Sequence, residues 1–316
     1  MKTLRVQLLS VVAAVAALFV GSQTFAEEEE KAPPLPFHSI EGYGGGAITP
    51  MAYLVNPGPK DCVFGKPAVA LSVGNFGDKQ LQAITATETL YDRIEFGYGA
   101  DRLGLGDLPN DIQSSTGLDT ETGDVWLHNF NVRALLVKED TCLAGIPLPA
   151  ITAGVHFKYN DGIARINNNL NNALASIGYH ANNGVDFTLT ATKNIAKLVG
   201  RPLFLTAGLR ESEAAQLGFL GFGDTYHTTF EGNVVYLPTD RIVLAYEFRQ
   251  KMDPYDTLAS NEPGEFLVGP EDSWHAIDAA YILNKHTTLC VGWGHLGNLV
   301  NSDANGSWWM QLKYEF

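Results

Sequence analysis

The last ten residues of the chain, SWWMQLKYEF, alternate between two kinds of side chain. Every second position is apolar, namely Trp308, Met310, Leu312, Tyr314 and Phe316. A repeat of two residues is that of a β-strand whose two faces meet different surroundings. A soluble sheet would bury the apolar face in a core. A transmembrane β-barrel instead turns that face toward lipid and keeps its polar face inside.

The same alternation recurs from residue 67 onward and predicts twelve strands. They cover residues 67–76, 84–90, 94–101, 126–137, 151–159, 185–192, 203–211, 229–237, 242–251, 274–283, 287–297 and the C-terminal ten residues. Short connections at 91–93, 238–240 and 284–286 alternate with long, polar ones at 103–124, 160–183, 212–227, 252–272 and 298–306. Transmembrane barrels have this asymmetry, with short periplasmic turns and long outer loops. A soluble β-sandwich or a lipocalin-like barrel does not require it.

We therefore predict an all-β fold, a transmembrane antiparallel β-barrel of 12 strands over residues 67–316. An alternative with 14 strands adds residues 37–44 and 47–56 as one more hairpin. In the 12-strand prediction, residues 27–66 form a flexible N-terminal segment that is either periplasmic or lumenal. The segment begins with EEEEKAPPLP, and a charge run followed by prolines favours disorder.

The first 26 residues have the layout of a secretory signal peptide. Lys2 and Arg5 precede an apolar run at 8–20, and Thr24 and Ala26 place short side chains before the predicted cleavage point. The run is shorter than the roughly 20 residues of a membrane-spanning helix. Only helices and closed barrels satisfy every backbone group in hydrocarbon, so if this exported chain enters a membrane, it must do so as a closed barrel. The predicted location is the cell outer membrane.

The charge balance argues against one class of partner. The formal net charge is −14, whereas proteins that bind nucleic acid present clustered lysine and arginine. Only 18% of residues are charged. That fraction fits strands with one apolar face and one polar face.

The polar faces of the predicted strands carry ionisable residues of both signs. The lumen-facing candidates are Glu95, Arg133, His156, Lys158, Asp186, Arg210, Glu231, Glu247, Arg249, Asp278 and Lys313, and the matching lipid-facing residues include Phe96, Phe157, Leu189, Leu244 and Tyr246. A selective pore more often shows a ring of one sign, while mixed signs favour salt bridges that pack a narrow interior. Two functions stay open, a channel or passive transporter for a small solute and a structural barrel without an open pore.

An outer-membrane enzyme is a third alternative, for which the chain shows no catalytic motif. The eight histidines are scattered, and none lies near a G-x-S-x-G sequence. The acidic stretch 106–124 lacks the carboxylate spacing of a calcium loop, so we expect a solvated loop. No catalytic, metal or cofactor-binding residue is predicted. In 164–184, apolar residues recur at roughly helical spacing, which predicts either a short helix over or into the barrel mouth or a surface loop.

Cysteine placement suggests one disulfide. In the 12-strand topology, Cys62 and Cys142 both lie in segments on the periplasmic side. That compartment is oxidising, so the two thiols are candidates to pair.

Several stretches resemble the shared blocks of domain of unknown function 3034, a family of exported proteins of Gram-negative bacteria. They are IEGYGGGAITP, QLGFLGFGD, FEGNVVYL, YEFRQK, EDSW and LGNL. The resemblance covers about residues 38–316 and departs in the EEEE start and in inserts near 103–124 and 253–272. It implies an outer-membrane barrel and supplies no site or substrate.

The expected partners follow from this fold and location. They are outer-membrane lipid and lipopolysaccharide, the barrel assembly machinery acting on the strand that ends at Phe316, and an unidentified small solute.

Overall fold

A computed structural model of the chain describes residues 35, 37–59, 62–259 and 266–316. The predicted signal peptide, residues 1–26, lies outside the described residues. Among the residues that are described, no helix is long and apolar enough to cross a membrane.

Twelve antiparallel strands close on themselves as a barrel. They are β1 Ala68–Phe76, β2 Lys79–Leu90, β3 Ile94–Gly104, β4 Asp124–Val137, β5 Ala150–Asp161, β6 Asn183–Asn194, β7 Leu203–Ala214, β8 Phe222–Tyr236, β9 Ile242–Arg249, β10 Trp274–Ile282, β11 Thr287–His295 and β12 Ser307–Glu315. Each strand pairs with its neighbours in sequence, and β12 pairs with β1 from Trp308↔Asn75 to Glu315↔Ala68. The predicted twelve-stranded barrel is confirmed.

The 14-strand alternative is wrong. Residues 37–56 contribute only the two-residue strands Phe37–His38 and Gly44–Gly45, which pair with each other and not with the barrel wall. A hairpin can join a barrel only by pairing with the strands on both sides of it, and the wall here is already closed.

Strand alternation separates an apolar exterior from a charged interior. The outward side chains of Phe96, Leu189 and Tyr246 are 43–49% exposed, whereas inward Lys158 and Arg210 are at most 2% exposed. A soluble protein distributes these residue types the other way round. On the outside of β4 and β5, Trp126, His128 and Tyr159 form a stacked group, as in the aromatic girdles of membrane barrels.

The two ends of the barrel differ. At the end where the barrel chain begins and finishes, called the terminal rim, the connections are 91–93, 138–149, 195–202, 237–241 and 283–286. At the opposite end, called the loop rim, they are 77–78, 105–123, 162–182, 215–221, 250–273 and 296–306.

Short elements occupy several of these connections. The helices are α1 Leu108–Thr116, α2 Ile163–Asn169, α3 Ala173–Ser176 and α4 Ala196–Val199, with a 3₁₀ turn at Ala215–Gly218. The two-residue and three-residue strands are Cys142–Leu143, Ile146–Pro147, Leu258–Ala259, Phe266–Val268, Asn298–Leu299 and Ser302–Asp303.

The loops at the loop rim fold inward and form an apolar cap. Its residues from the loops and from the inner wall pack as one buried cluster that includes Leu81, Leu103, Leu105, Leu108, Ile112, Leu127, Ile163, Ile166, Leu170, Leu174, Trp274 and Trp309. The helical alternative for 164–184 is the correct one. The acidic stretch is a solvated loop only in part, because Leu108 and Ile112 lie one turn apart on helix α1 and are both buried. Gly117, at φ 76°, ends that helix in the left-handed conformation.

The predicted disulfide is absent, since Cys62 and Cys142 are both free and exposed. The segment of Cys62 is tied to the turn after β2, where Tyr91 donates to the Val63 carbonyl. The hairpin that carries Cys142 is instead held by its own strand pair and by the ion pair of Asp140 with Lys193 of β6. The two cysteines are thus anchored to different strands. Although both lie at one end of the barrel, these contacts do not bring their thiols together.

Candidate functional site

The lumen contains the N-terminal segment 37–56, which we call the plug. Its start lies beside β12, where the backbone of His38 bonds to the Gln311 side chain at 2.9 and 2.5 Å. Its end lies beside β3, where the Val55 amide donates to Glu95 at 2.7 Å. Just before the plug, the Leu35 carbonyl accepts a hydrogen bond from Lys313 at 2.7 Å, near the terminal-rim end of β12, and Glu95 lies at the terminal-rim end of β3. The plug therefore enters and leaves by the same rim. The structure thus places this part of the segment in the lumen.

Glycine lets the plug backbone approach the wall. A side-chain carbon at Gly97 of β3 would overlap the Gly42 carbonyl oxygen, and one at Gly99 would overlap that of Ile40. Within the plug, a side-chain carbon at Gly46 would overlap the Glu247 carboxylate. Any larger residue at these positions would push the plug off the wall.

A buried charge cluster joins the plug to one half of the wall. The Glu41 carboxylate pairs with Lys158 at 2.6 Å, Arg249 at 2.8 Å and Arg210 at 3.3 Å, and it accepts a hydrogen bond from the Tyr43 hydroxyl. These three cations lie on β5, β9 and β7. The plug thus inserts one carboxylate among three fixed cations.

Two wall carboxylates complete the cluster. Asp186 of β6 pairs with Arg210 and with Lys158, both at 2.8 Å, and Glu231 of β8 pairs with Arg210 at 3.2 Å. The six-charge cluster therefore comprises Glu41, Lys158, Asp186, Arg210, Glu231 and Arg249. Its side chains are at most 5% exposed, and its three cations balance its three carboxylates. Buried charges are stable only when paired in this way.

Backbone contacts hold the plug to other parts of the wall. Glu247 of β9 accepts hydrogen bonds from three consecutive amides, those of Ala47, Ile48 and Thr49, at 2.7, 3.2 and 2.8 Å. Successive amides that converge on one carboxylate form an anion-binding nest. On the opposite wall, Arg133 pairs with Glu95 at 2.9 Å and donates to the carbonyl of Gly44 at 3.1 Å.

All eleven lumen-facing candidates lie on the inner wall, and each is at most 4% exposed. Those that bond directly to the plug are Glu95, Arg133, Lys158, Arg210, Glu247 and Arg249. Of the rest, Asp186 and Glu231 complete the cluster, His156 bonds to Thr188 at 2.9 Å, Asp278 accepts from the Trp309 indole at 3.0 Å and Lys313 pairs with Glu315 at 2.7 Å.

Sequence reasoning missed the plug side of this site. Glu41 is the only charged residue between 37 and 59 if histidine is counted as neutral, and it directly precedes the glycine-rich run 42–46. A lone carboxylate in an otherwise uncharged segment was the available signal. Its meaning depends on partners as far away in sequence as Arg249.

A cavity of about 60 Å³ lies between the plug and the apolar cap. The plug supplies Ile40, Ala47 and Ile48 to its lining, and the wall supplies Leu81, Trp274 and Trp309. The lumen thus changes from charged and hydrogen-bonded at the level of the plug to apolar toward the loop rim. Over the described part of the chain, no group of three or more histidine, cysteine, aspartate or glutamate residues could hold a metal ion.

Known proteins offer structural likeness at low identity. The KdgM porin has a TM-score of 0.45 at 11% identity, covering 79% of this chain and 99% of that one. The NanC porin has a TM-score of 0.43 at 8% identity, covering 79% and 98%. The COG4313 outer membrane channel from Pseudomonas putida F1 has a TM-score of 0.40 at 12% identity, covering 83% and 100%. No curated protein matches the chain.

A family model does match, over residues 36–313, and its description is protein of unknown function (DUF3034). The matched range takes in the whole plug, the first eleven strands and β12 as far as Lys313. The chain therefore belongs to the DUF3034 family.

Proposed function

We propose that the protein is an outer-membrane channel for a small solute, closed here by the plug and opened when the plug withdraws through the terminal rim. One observation carries the proposal: the wall is a complete barrel without the plug, and both ends of the plug lie at one rim. Withdrawal breaks side-chain and backbone contacts to the wall but no strand pairing of the barrel. The plug can therefore leave the lumen without unfolding the barrel.

The same proposal includes export and assembly. Cleavage after Ala26 would release the mature chain, and β12 with its terminal Phe316 would present the assembly signal to the barrel assembly machinery. The exposed apolar exterior suits contact with outer-membrane lipid and lipopolysaccharide. We expect the purified protein to begin at Glu27, to fractionate with outer membranes and to migrate faster unheated than boiled.

Conductance in planar bilayers tests the channel. Removing residues 37–56 should give a steady ionic current through a folded barrel, whereas the intact protein should be mostly closed. The deletion is sterically feasible, because Leu35 contacts Lys313 while Asn56 contacts Phe316, so the two ends to be joined both lie near the end of β12. A matched control removes residues 142–147, which lie at the same rim outside the lumen. A folded plug deletion that conducts no more than this control would refute the channel.

A structural barrel without an open pore is the second candidate, favoured by the balanced pairing of the six-charge cluster. It predicts that the plug deletion destabilises the barrel instead of opening it. The unfolding temperature measured beside the conductance separates the two functions.

A further inference from the structure

We propose that the cavity between plug and cap is the binding site of the transported solute, and that this solute is a compact, uncharged, largely apolar molecule with one hydrogen-bond acceptor. The inference rests on the channel function proposed above and names its substrate class. Nearly all of the lining is hydrocarbon and aromatic surface from the cap, the wall and the plug top. An ion would lose its hydration in such a site without gaining a partner.

The polar groups of the lining are already bonded to protein, with one exception. Ser72 and Gln311 bond to each other at 2.9 Å, and the Lys79 ammonium donates to Asp78, Asn301 and Ser302 at 2.7–2.9 Å. The remaining bonded groups are Gln216, which bonds to Lys251 and Asn298, and Trp309, which donates to Asp278. The hydrogen bonds of these groups are therefore satisfied within the protein, and the charge of Lys79 is balanced by Asp78.

The exception is Trp274. Its side chain lines the cavity at 5% exposure, and its indole Nε1 is buried without an acceptor among the described residues. An unpaired buried donor is costly. A water molecule would need two to four polar partners, which the apolar surroundings do not supply. A ligand that carries one acceptor, such as a ketone, ether or hydroxyl oxygen, would pair this donor and fill the apolar space around it.

The size of the cavity links binding to the plug. At about 60 Å³, it is smaller than the roughly 150 Å³ cavity that holds benzene in an engineered protein. Ile40, Ala47 and Ile48 belong to the plug, so a ring-sized ligand gains room when the plug top retreats. A ligand that binds the retracted state better shifts the population toward it. The solute would thereby favour its own passage.

Binding can be measured without conductance, on the intact protein in lipid nanodiscs by ¹⁹F NMR. The probes are 4-fluoroacetophenone, which is neutral with a strong acceptor, fluorobenzene, which lacks one, and the anion 4-fluorobenzoate. We expect saturable binding of the ketone, about fivefold weaker binding of fluorobenzene, as for one neutral hydrogen bond, and no binding of the benzoate. Trp274→Phe should abolish the fivefold preference while fluorobenzene still binds.

Two variants of one strand locate the site. Leu81→Trp places a larger side chain into the cavity and should abolish saturable binding, whereas Ile84→Trp adds the same volume on the lipid face of β2 and should not. Should Leu81→Trp fail to fold, anomalous diffraction from bound 4-bromoacetophenone supplies the location. Bromine between the plug top and Trp274 supports the site, and bromine only on the exterior overturns it.

The remaining outcomes are equally decisive. Absence of saturable ketone binding, or preference for the benzoate, overturns the inference. Equal affinity for ketone and fluorobenzene overturns the role of the indole donor. If the intact protein binds the ketone at this site but the plug deletion never conducts, the channel function is refuted and the binding site is supported. If the plug deletion conducts but the intact protein does not bind the ketone, the binding site is refuted and the channel function is supported.

Discussion

Replacing Glu41 by glutamine removes the one carboxylate that the plug contributes to the six-charge cluster. In the native lumen, this group bonds to Lys158, Arg210 and Arg249 at 2.6–3.3 Å, with Tyr43 as a further donor. Glutamine keeps the shape of the side chain but carries no charge. The three wall cations then face only two wall carboxylates.

The magnitude follows from the burial of that cluster. Removing one partner of a buried ion pair costs about 3–5 kcal/mol, because a charge stays buried without compensation. Withdrawal of the plug lets water reach the surplus cation, so the cost falls on the plugged state alone. A change of about 3–5 kcal/mol multiplies the ratio of open to plugged barrels by roughly 10² to 10⁴, since 1.4 kcal/mol corresponds to a factor of ten.

The assay is the open probability of single channels in planar bilayers, with heat-dependent migration as the check that the barrel is folded. Asp186→Asn is the matched control. It removes one negative charge from the same cluster, but Asp186 pairs with wall residues Lys158 and Arg210, for which Glu41 also competes. Without Asp186, Lys158 and Arg210 have one carboxylate fewer competing with Glu41. The plug should therefore stay in place or be held more tightly in Asp186→Asn. If folded Glu41→Gln barrels stay as closed as wild type, or if Asp186→Asn opens them equally, the role of Glu41 in holding the plug is refuted.

Three further predictions concern the plug contacts, the lipid face and the loop rim. Gly97→Ala should open the folded barrel, because the new methyl group overlaps the plug backbone, whereas Gly104→Ala on the same strand, with its nearest neighbour at 3.6 Å, should conduct like wild type. Leu189→Arg should lower the free energy of unfolding in lipid by about 2–4 kcal/mol. The control Leu198→Arg, in the short helix α4 at the terminal rim and 80% exposed, should change it by less than about 1 kcal/mol. Burial raises the pKa of Glu271, in the loop-rim connection 250–273, from 4.5 to about 7, so between these pH values the folded loop retains a proton that the unfolded chain releases. The loop should therefore lose stability as the pH rises from about 4.5 to 7, and protease cleavage of this loop should lose that pH dependence in Glu271→Gln.

The fold was predictable because every strand of a barrel wall has one face toward lipid and one toward the lumen, which imposes a two-residue alternation of apolar and polar side chains. The pattern fails where the strands leave that environment. Strand β2 begins at Lys79 and strand β8 at Phe222, several residues before the predicted starts. The alternation missed these residues because their outward positions, such as Gln80 and Asp224, are polar and not apolar. Helix α1 escaped prediction because Leu108 and Ile112 are its only buried residues in an otherwise polar stretch.

The site was predictable only on the wall side. Inward positions follow from strand parity, so all the candidate charges could be assigned to one face in advance. The plug has no period, and its contacts join residues about 200 positions apart, as for Glu41 with Arg249 and Glu247 with Ala47. The failed pairing of Cys62 with Cys142 has the same origin, since a shared end of the barrel does not bring two side chains within bonding distance.

Hydrogen–deuterium exchange of residues 37–56 can show whether ionic contacts hold the plug in the lumen. In the wild-type protein, the amides of Ala47, Thr49 and Val55 should exchange slowly, because Glu247 and Glu95 accept their hydrogen bonds. In Glu41→Gln, those amides should exchange faster by a factor of roughly 10² or more, while the barrel strands keep their protection. Exchange of the wild-type segment at the rate of an unstructured peptide, or equal exchange in the two proteins, would contradict the account.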